Sequence, residues 1–161
     1  MKKDLRDKAN EFKIDDVLGH AVNRAAIIIR KRLTMLFKEA GFHITPEEFS
    51  IMSRLWEEDG LLQSEITEKT LKDKTRVTRL LGGLLEQSLV EKRVLPEDRR
   101  NFKIYLTDKG HNLKYELLPI VSGLMSVAAS NISEEDLKIT MNTLRTVFTN
   151  INSTFNEKDE K

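Results

Sequence analysis

The chain has 161 residues, of which 39% are hydrophobic and 33% are charged, enough for one folded domain of ordinary size. It has no cysteine, which excludes disulfides, thiolate metal sites and thiol redox chemistry and is typical of a reducing compartment. The formal net charge is +1, but residues 69–103 hold ten Lys or Arg against five Asp or Glu, so this segment carries +5 and the remainder −4. A localised basic segment indicates a surface that binds a polyanion, with a merely solvated helix face as the alternative.

Nothing in the sequence points to a membrane. No apolar run is long enough to span a bilayer, and the start, MKKDLRDKANEFK, continues into acidic residues instead of an apolar segment. We therefore expect no transmembrane helix and no signal peptide, and we predict a cytoplasmic protein.

The first part of the chain has helical periodicity. Apolar residues recur at helical spacing over residues 16–40, and Gly41 follows as a left-handed stop. A second helix is predicted to begin after Thr45, whose hydroxyl caps it, with proline in the first turn and Glu48 completing a capping box. It ends at Asp59-Gly60. Its apolar face comprises Phe49, Met52, Leu55 and Trp56.

Two short helices joined by a tight turn are predicted next. The first covers about residues 63–70, and the second begins at Asp73, a capping residue, and runs to about Gln87. In a helix-turn-helix, the second helix enters the major groove of DNA. The predicted core face comprises Val77, Leu81, Leu84 and Leu85. The opposite face offers hydroxyls and cations that suit phosphates and purine edges, from Lys74, Thr75, Arg76, Thr78 and Arg79.

Two features of this region depart from the usual helix signals. Gly82 and Gly83 lie inside the second helix, where each glycine costs about 1 kcal/mol relative to alanine unless a close backbone approach requires it. Leu62 stands at the capping position of the first helix, where a hydroxyl is usual.

After Leu89 the period of the apolar residues changes to two. The runs 90–94 and 102–106 alternate in character, and residues 95–101 between them carry a proline and charges, so we predict a β-hairpin. Its tip is basic, with Arg99 and Arg100 adjacent. Such a hairpin can reach the flanking minor groove, whose narrow A·T tracts attract arginine.

Two long helices are predicted to close the chain. One begins after Thr107 and runs to about Ser130, with Pro119 inside it, and Ser133 caps the other. The last helix has apolar residues at alternating spacings of four and three, namely Leu137, Met141, Leu144, Phe148, Ile151 and Phe155. This heptad seam requires a partner helix and predicts a homodimer.

The segment LLQSEITEKTLKDKTRVTRLLGGLLEQSLVEKRVLPEDRRNFKIYLTDKG resembles the winged helix-turn-helix of the MarR family of bacterial transcription regulators. DKTRVTRLL matches the recognition helix and DRRNFKIYLTDKG the wing, and the resemblance extends over about residues 16–152. Its most specific part is the wing pattern formed by Asp98, Arg100, Leu106, Thr107 and Gly110.

The resemblance implies a mainly α fold with a small β-hairpin wing. A single domain over residues 1–161 would comprise a DNA-binding lobe at 46–106 and helical dimerisation regions at 16–41 and 107–152. By similarity, Arg100 enters the minor groove and Asp98 holds its guanidinium. The implied DNA contacts are Lys74, Thr75, Arg76, Thr78, Arg79, Asp98, Arg99 and Arg100, and the seam Leu137, Met141, Leu144, Phe148 and Ile151 is the implied dimer contact.

The resemblance also implies a function. Family members are ligand-responsive homodimers, usually repressors, that bind pseudo-palindromic double-stranded DNA. A small amphipathic or phenolic effector is expected in a pocket between the dimer body and the DNA lobes, where it changes the separation of the two recognition helices. No cofactor is expected.

Two other classes of function compete with this one. A winged helix can bind protein instead of DNA, but the +5 segment argues against that alternative. An enzyme is not expected, because no G-x-S-x-G, P-loop or metal-ligand spacing occurs. His20, His43 and His111 fall at unrelated spacings and predict no metal site. Met52 and Trp56 lie on an apolar stripe and are predicted to be core residues, not part of an effector pocket.

Overall fold

The computed structural model describes residues 13–94 and 102–156, with side chains through residue 154. A 3-10 turn at Ile14–Asp16 precedes nine elements, which are α1 (Leu18–Glu39), α2 (Pro46–Glu57), β1 (Leu61–Leu62), α3 (Gln63–Thr70), α4 (Lys74–Glu86), β2 (Val90–Val94), β3 (Phe102–Leu106), α5 (Asp108–Ala128) and α6 (Glu134–Asn156). The predicted mainly α fold with a small β-hairpin is confirmed. The hairpin tip, with Asp98, Arg99 and Arg100, lies outside the described residues.

The chain divides into two compact units, Met1–Leu124 and Met125–Lys161. The hydrophobic core belongs to the first unit and draws fully buried residues from its helices and its sheet. Its largest fully buried members include Phe37, Ile51, Met52, Leu55, Leu61, Ile66, Leu81, Leu84, Ile104 and Leu117. Burial of their apolar surface is the main favourable term in folding this unit. The prediction of one domain over residues 1–161 stays a prediction.

Helix α1 buries only a small part of its apolar stripe. Leu33 and Phe37 are its buried residues, and the helix stops where predicted, at Gly41 with φ +83°. Large apolar side chains elsewhere on α1 and just before it are exposed, namely Val17, Leu18, Val22, Ile27, Ile28 and Met35. The apolar stripe of α1 is therefore longer than the part that packs into the core of the single chain.

The predicted capping box of α2 is confirmed. Thr45 Oγ1 accepts a hydrogen bond of 3.1 Å from the Glu48 backbone N–H, and Glu48 Oε2 accepts one of 2.8 Å from the Thr45 N–H. Within α2, Met52, Leu55 and the unpredicted Ile51 are buried, and Phe49 and Trp56 pack half-buried against the core. Trp56 Nε1 donates to the carbonyl oxygen of Gly110 at 2.9 Å, which ties α2 to the start of α5.

The sheet has three antiparallel strands in the order β1-β3-β2. Strands β2 and β3 form the predicted hairpin, with Val90 opposite Leu106 and Val94 opposite Phe102. Strand β1, which pairs Leu61 with Ile104, was not predicted, because two residues are too few to display a period of two. The prediction of a two-stranded wing was therefore incomplete by one short strand.

The two C-terminal helices have the predicted bounds to within a few residues. Pro119 lies inside α5, and Gly110 near its start is required by packing, because a Cβ there would lie 2.0 Å from the carbonyl oxygen of Leu89. Ser133 caps α6, since its hydroxyl accepts the Asp136 N–H at 3.0 Å. No helix of residues 13–94 and 102–156 is long and apolar enough to cross a bilayer.

Candidate nucleic-acid interface

Helix α4 has one buried and one exposed face. Val77, Leu81 and Leu84 are buried as predicted, Leu85 is half-buried, and Leu80 is a buried residue that the sequence analysis left out. All five side chains predicted for the opposite face are exposed, namely Lys74, Thr75, Arg76, Thr78 and Arg79. The helix therefore presents a polar, cationic surface and is fixed through its other side to the core.

The turn before α4 fixes the point at which that surface begins. Leu71 adopts a left-handed conformation, with φ 53°, and ends α3. Asp73 then caps α4, because its Oδ1 accepts the Arg76 backbone N–H at 2.8 Å. Helix α3 lacks a capping hydroxyl, as the sequence indicated, and the Leu62 N–H donates instead to Glu65 Oε2 at 2.6 Å. Each helix of the pair is thus started by a carboxylate.

Arg76 forms a bidentate ion pair with Glu47, a residue that the sequence analysis did not single out. Its Nε donates to Glu47 Oε1 at 3.1 Å and its Nη2 to Oε2 at 2.5 Å. Hydrogen bonding from Arg76 lowers the pKa of the Glu47 carboxyl. Burial opposes this shift, and the charges of Arg76, Lys72 and Arg79 add to it. Glu47 lies in the first turn of α2 and is 29 residues away, so local sequence signals could not reveal the pair.

The hydroxyl of Thr78 forms two hydrogen bonds within the protein. It donates to the Lys74 carbonyl oxygen at 2.8 Å and accepts a hydrogen bond of 2.7 Å from Gln63 Nε2. Its one proton is therefore used, and the Gln63 side chain is held beside α4 at the start of α3. Gln63 joins the candidate surface as a residue that the sequence analysis missed.

Two cations of α4 carry uncompensated charge in the described part of the chain. Lys74 and Arg79 are exposed, and neither forms an ion pair with any residue of the ranges 13–94 and 102–154, in contrast to Arg76. Long-range attraction to a polyanion from α4 therefore comes mainly from these two side chains.

The strands of the wing carry further cations stacked on aromatic rings. Lys92 Nζ lies 4.5 Å from the centroid of the Phe102 ring, and Arg93 Cζ lies 4.3 Å from that of Tyr105. Arg93 also pairs with Glu91 at 2.6 Å. These contacts hold two cations of the basic segment along the hairpin stem, leading towards residues 95–101.

The glycine pair inside α4 has a packing explanation at one position only. A Cβ on Gly83 would lie 2.6 Å from Oε1 of Glu48, whose side chain is buried and held by its capping bonds to Thr45. Gly82 has nothing within 4 Å of the corresponding point. Close approach of α4 to α2 therefore requires glycine at 83 and not at 82.

This difference predicts unequal effects of two alanine substitutions on stability. Gly82→Ala should raise the free energy of unfolding by about 0.5–1 kcal/mol through helix propensity, whereas Gly83→Ala should gain less or lose stability because Glu48 must move. Urea unfolding followed by circular dichroism measures both. The double substitution Gly83→Ala/Glu48→Ala serves as the control for the clash. Equal gains at the two glycines would contradict the packing explanation.

Comparison with known proteins identifies the lobe that contains this surface. Residues 44–102 match the sequence model of the MarR family. An uncharacterised HTH-type transcriptional regulator of Bacillus subtilis, YdgJ, is 28% identical over 115 residues, which cover 71% of this chain and 70% of the relative.

The chain belongs to the MarR family. It is a transcriptional regulator and not an enzyme, as the sequence predicted.

Solved structures of MarR-type regulators share the fold. A putative MarR family regulator from Listeria monocytogenes, solved with a 26mer DNA, has a TM-score of 0.78 at 20% identity, covering 90% of this chain and 95% of that one. A second solved structure is that of Bordetella bronchiseptica BpsR, whose DNA binding is regulated by 6-hydroxynicotinic acid. Its TM-score is 0.76 at 18% identity, and the match covers 84% of this chain and 96% of the BpsR chain. At these identities the likeness establishes the winged-helix fold.

The second compact unit of this MarR-family chain carries the predicted dimer seam. Along α6, four of the five seam residues are exposed by 40–54%, namely Leu137, Met141, Phe148 and Ile151, and Leu144 is half-buried. The Phe155 side chain lies outside the described part. One face of α6 is therefore both apolar and accessible in the single chain.

The remaining candidate side chains lie apart from one another. His43 is exposed, whereas His20 is 3.5 Å from Asp15 and His111 is 3.8 Å from Asp59. In the described ranges there is no group of three or more His, Cys, Asp or Glu that could hold a metal ion. Met52 is fully buried and Trp56 packs half-buried against the core, as expected of core residues.

Proposed function

We propose that this chain is a cytoplasmic, homodimeric repressor that binds a pseudo-palindromic operator and releases it when a small effector binds. The observation that carries the proposal is the exposed cationic face of α4, opposite a buried face that fixes the helix in a winged helix-turn-helix of the MarR family. A helix mounted in this way fits the major groove, with its first turns towards the bases.

Within α4 we assign different roles to the predicted contacts. Lys74 and Arg79 contact phosphates, since their charges are uncompensated in the described part of the chain. Thr75 and Arg76 lie in the first turn and face base edges. Thr78 contributes to DNA binding in two ways. Its hydroxyl oxygen can accept a hydrogen bond, and it holds the Gln63 side chain at the interface.

The wing supplies the second contact of the proposal. Residues Asp98, Arg99 and Arg100 lie outside the described part, so their roles follow from the family pattern alone. The hairpin stem supports these roles through Lys92, which carries positive charge on the stem, whereas the charge of Arg93 is balanced by Glu91. Arg100 enters the minor groove, Asp98 orients its guanidinium, and Arg99 contacts phosphate.

The wing assignment predicts a characteristic pair of mutant effects. Arg100→Ala should cost about 1–3 kcal/mol of specific affinity through loss of a minor-groove contact. Asp98→Ala should also weaken specific binding if Asp98 orients Arg100, although removal of an acid near phosphate would by itself tighten binding. Fluorescence anisotropy on specific and scrambled duplexes measures both, with circular dichroism as the folding control. Tighter specific binding by Asp98→Ala would refute the orienting role.

A second copy of the chain is the proposed partner of the exposed apolar faces. Helix α6 exposes Leu137, Met141, Phe148 and Ile151, and α1 exposes a comparable set that includes Leu18, Val22 and Ile28. Exposed apolar helix faces of this kind mark an interface. Two-fold symmetry of the dimer would match a pseudo-palindromic operator.

The proposed effector is a small amphipathic or phenolic compound. BpsR responds to 6-hydroxynicotinic acid, a small hydroxylated aromatic acid, which supports an amphipathic or phenolic effector for this relative of the same fold. Effector binding would change the separation of the two recognition helices and so weaken operator affinity.

Selection from a random-sequence duplex library tests the proposed function. The wild-type protein should enrich a single inverted repeat, because two α4 helices related by a two-fold axis read the same half-site twice. A gel shift should then show binding to DNA upstream of the protein's own gene, and that DNA should contain the same motif. Enrichment of no sequence would support a protein-binding module and overturn the proposal.

A further inference from the structure

The pairing of Arg76 with Glu47 leaves one edge of the guanidinium free. Glu47 occupies the side edge formed by Nε and Nη2. The end edge, formed by Nη1 and the second proton of Nη2, makes no hydrogen bond within the described part of the chain. An end edge of this type can donate two parallel hydrogen bonds to O6 and N7 of guanine.

Glu47 also fixes the direction of that free edge. Arg76 is exposed on the outer face of α4, where an arginine side chain samples many rotamers, and bidentate pairing selects one geometry. Glu47 itself lies in the first turn of α2, a helix anchored by its capping box and buried face. The entropy cost of ordering the Arg76 side chain is therefore incurred before DNA binds. This favours a base contact that requires one defined geometry.

The same pairing removes Arg76 from the general attraction to phosphate. The Glu47 carboxyl is ionised at neutral pH, because Arg76 holds its pKa below the usual range. The net charge of the pair is zero, so it adds little to the counterion release that drives sequence-independent binding. A lone Arg76 would turn to the nearest phosphate on any duplex.

We propose that Glu47 is a specificity-determining, positioning residue that orients Arg76 for a base contact and at the same time lowers affinity for non-operator DNA. This inference rests on the proposed function and adds a residue from outside the recognition helix and the wing. A carboxylate placed here only to repel phosphate would weaken binding to every sequence equally. A positioning carboxylate acts in opposite directions on operator and on non-operator DNA.

The test compares Glu47→Gln with Glu57→Gln on two duplexes, the one that wild type enriches from a random library and its scrambled counterpart. Glu57 is the control, because it is also an acid of α2 paired with an arginine, Arg54, at 2.8 Å, although its side chain is 64% exposed against 26% for Glu47. Both variants lose one negative charge. Fluorescence anisotropy at fixed salt gives the two affinities, and thermal unfolding verifies the fold.

We expect Glu47→Gln to bind the scrambled duplex more tightly and the selected duplex more weakly, so that the specificity ratio falls about tenfold or more. Glu57→Gln should leave the ratio unchanged. In an Arg76→Ala background, Glu47→Gln should no longer change the ratio, since the residue acts through Arg76.

Three results would overturn the inference. An equal gain on both duplexes would make Glu47 a simple repulsive charge, and unchanged affinity for both would make the ion pair irrelevant to recognition. An equal fall of the specificity ratio in Glu57→Gln would make the effect one of net charge. A wild-type protein that enriches no duplex overturns the proposed function as well, and that failure is visible before any variant is made.

Discussion

The double substitution Leu144→Glu/Phe148→Glu is expected to convert the proposed dimer into a monomer at micromolar concentration. Both residues lie in the apolar seam of α6, one helical turn apart. Two carboxylates buried in a helix-helix interface without partners cost several kcal/mol, and the substitutions also remove two apolar members of the seam. Light scattering with size-exclusion chromatography reads the mass directly.

The chain offers a matched control on the same helix. Thr146 and Asn150 have the same spacing as the seam pair but project from the opposite side of α6, and both are exposed. Thr146→Glu/Asn150→Glu therefore adds the same charge at nearly the same positions along the helix, and this variant should remain dimeric. Truncation after Asn131 removes the seam altogether and should also give a monomer. A wild-type protein that is monodisperse and monomeric at micromolar concentration would refute the seam as a dimer contact.

Local sequence signals predicted much of the DNA-binding lobe. The bounds of α3 and of both hairpin strands follow from period and turn residues, and the α2 capping box follows from four consecutive residues. The exposed face of α4 followed from the same reasoning, because a helix with one apolar stripe must present its other side to solvent.

Contacts between distant segments could not be predicted in this way. The pair of Glu47 with Arg76, the hydrogen bond of Gln63 to Thr78 and the short strand β1 each depend on how separate elements pack. The glycine pair shows the same limit, since only the position of Glu48 separates Gly83 from Gly82. Periodicity likewise predicted the stripe on α1 without showing that most of it lies outside the core of one chain.

The division of charge on α4 has a consequence for recognition. Arg76 is neutralised by Glu47, whereas Lys74 and Arg79 are unpaired among the described residues. Under the proposed function, phosphate attraction and base reading therefore fall to different side chains of one helix. Salt should therefore act on the contacts of Lys74 and Arg79 far more than on that of Arg76, because only the former release counterions.

Operator binding by the proposed dimer is accordingly expected to depend steeply on salt. If each subunit neutralises three to five phosphates through residues such as Lys74, Arg79, Arg99 and Arg100, affinity should fall by about 10³–10⁵ between 50 and 200 mM salt, with about −0.9 in slope per phosphate. Lys74→Gln/Arg79→Gln removes two cations per subunit and should reduce the slope by about 3 to 4. Fluorescence anisotropy across a salt series measures both slopes.

The control is Lys31→Gln/Lys38→Gln, which removes the same charge from exposed positions on α1. If binding depends on contacts and not on net charge, this variant should keep the wild-type slope, because counterions are released only where a cation meets a phosphate. An equal fall in slope for both double variants would assign the effect to net charge. A nearly flat wild-type dependence with weak affinity at low salt would mean that the basic segment is a solvated face, and the assignment of α4 as the DNA-reading helix would fail with it.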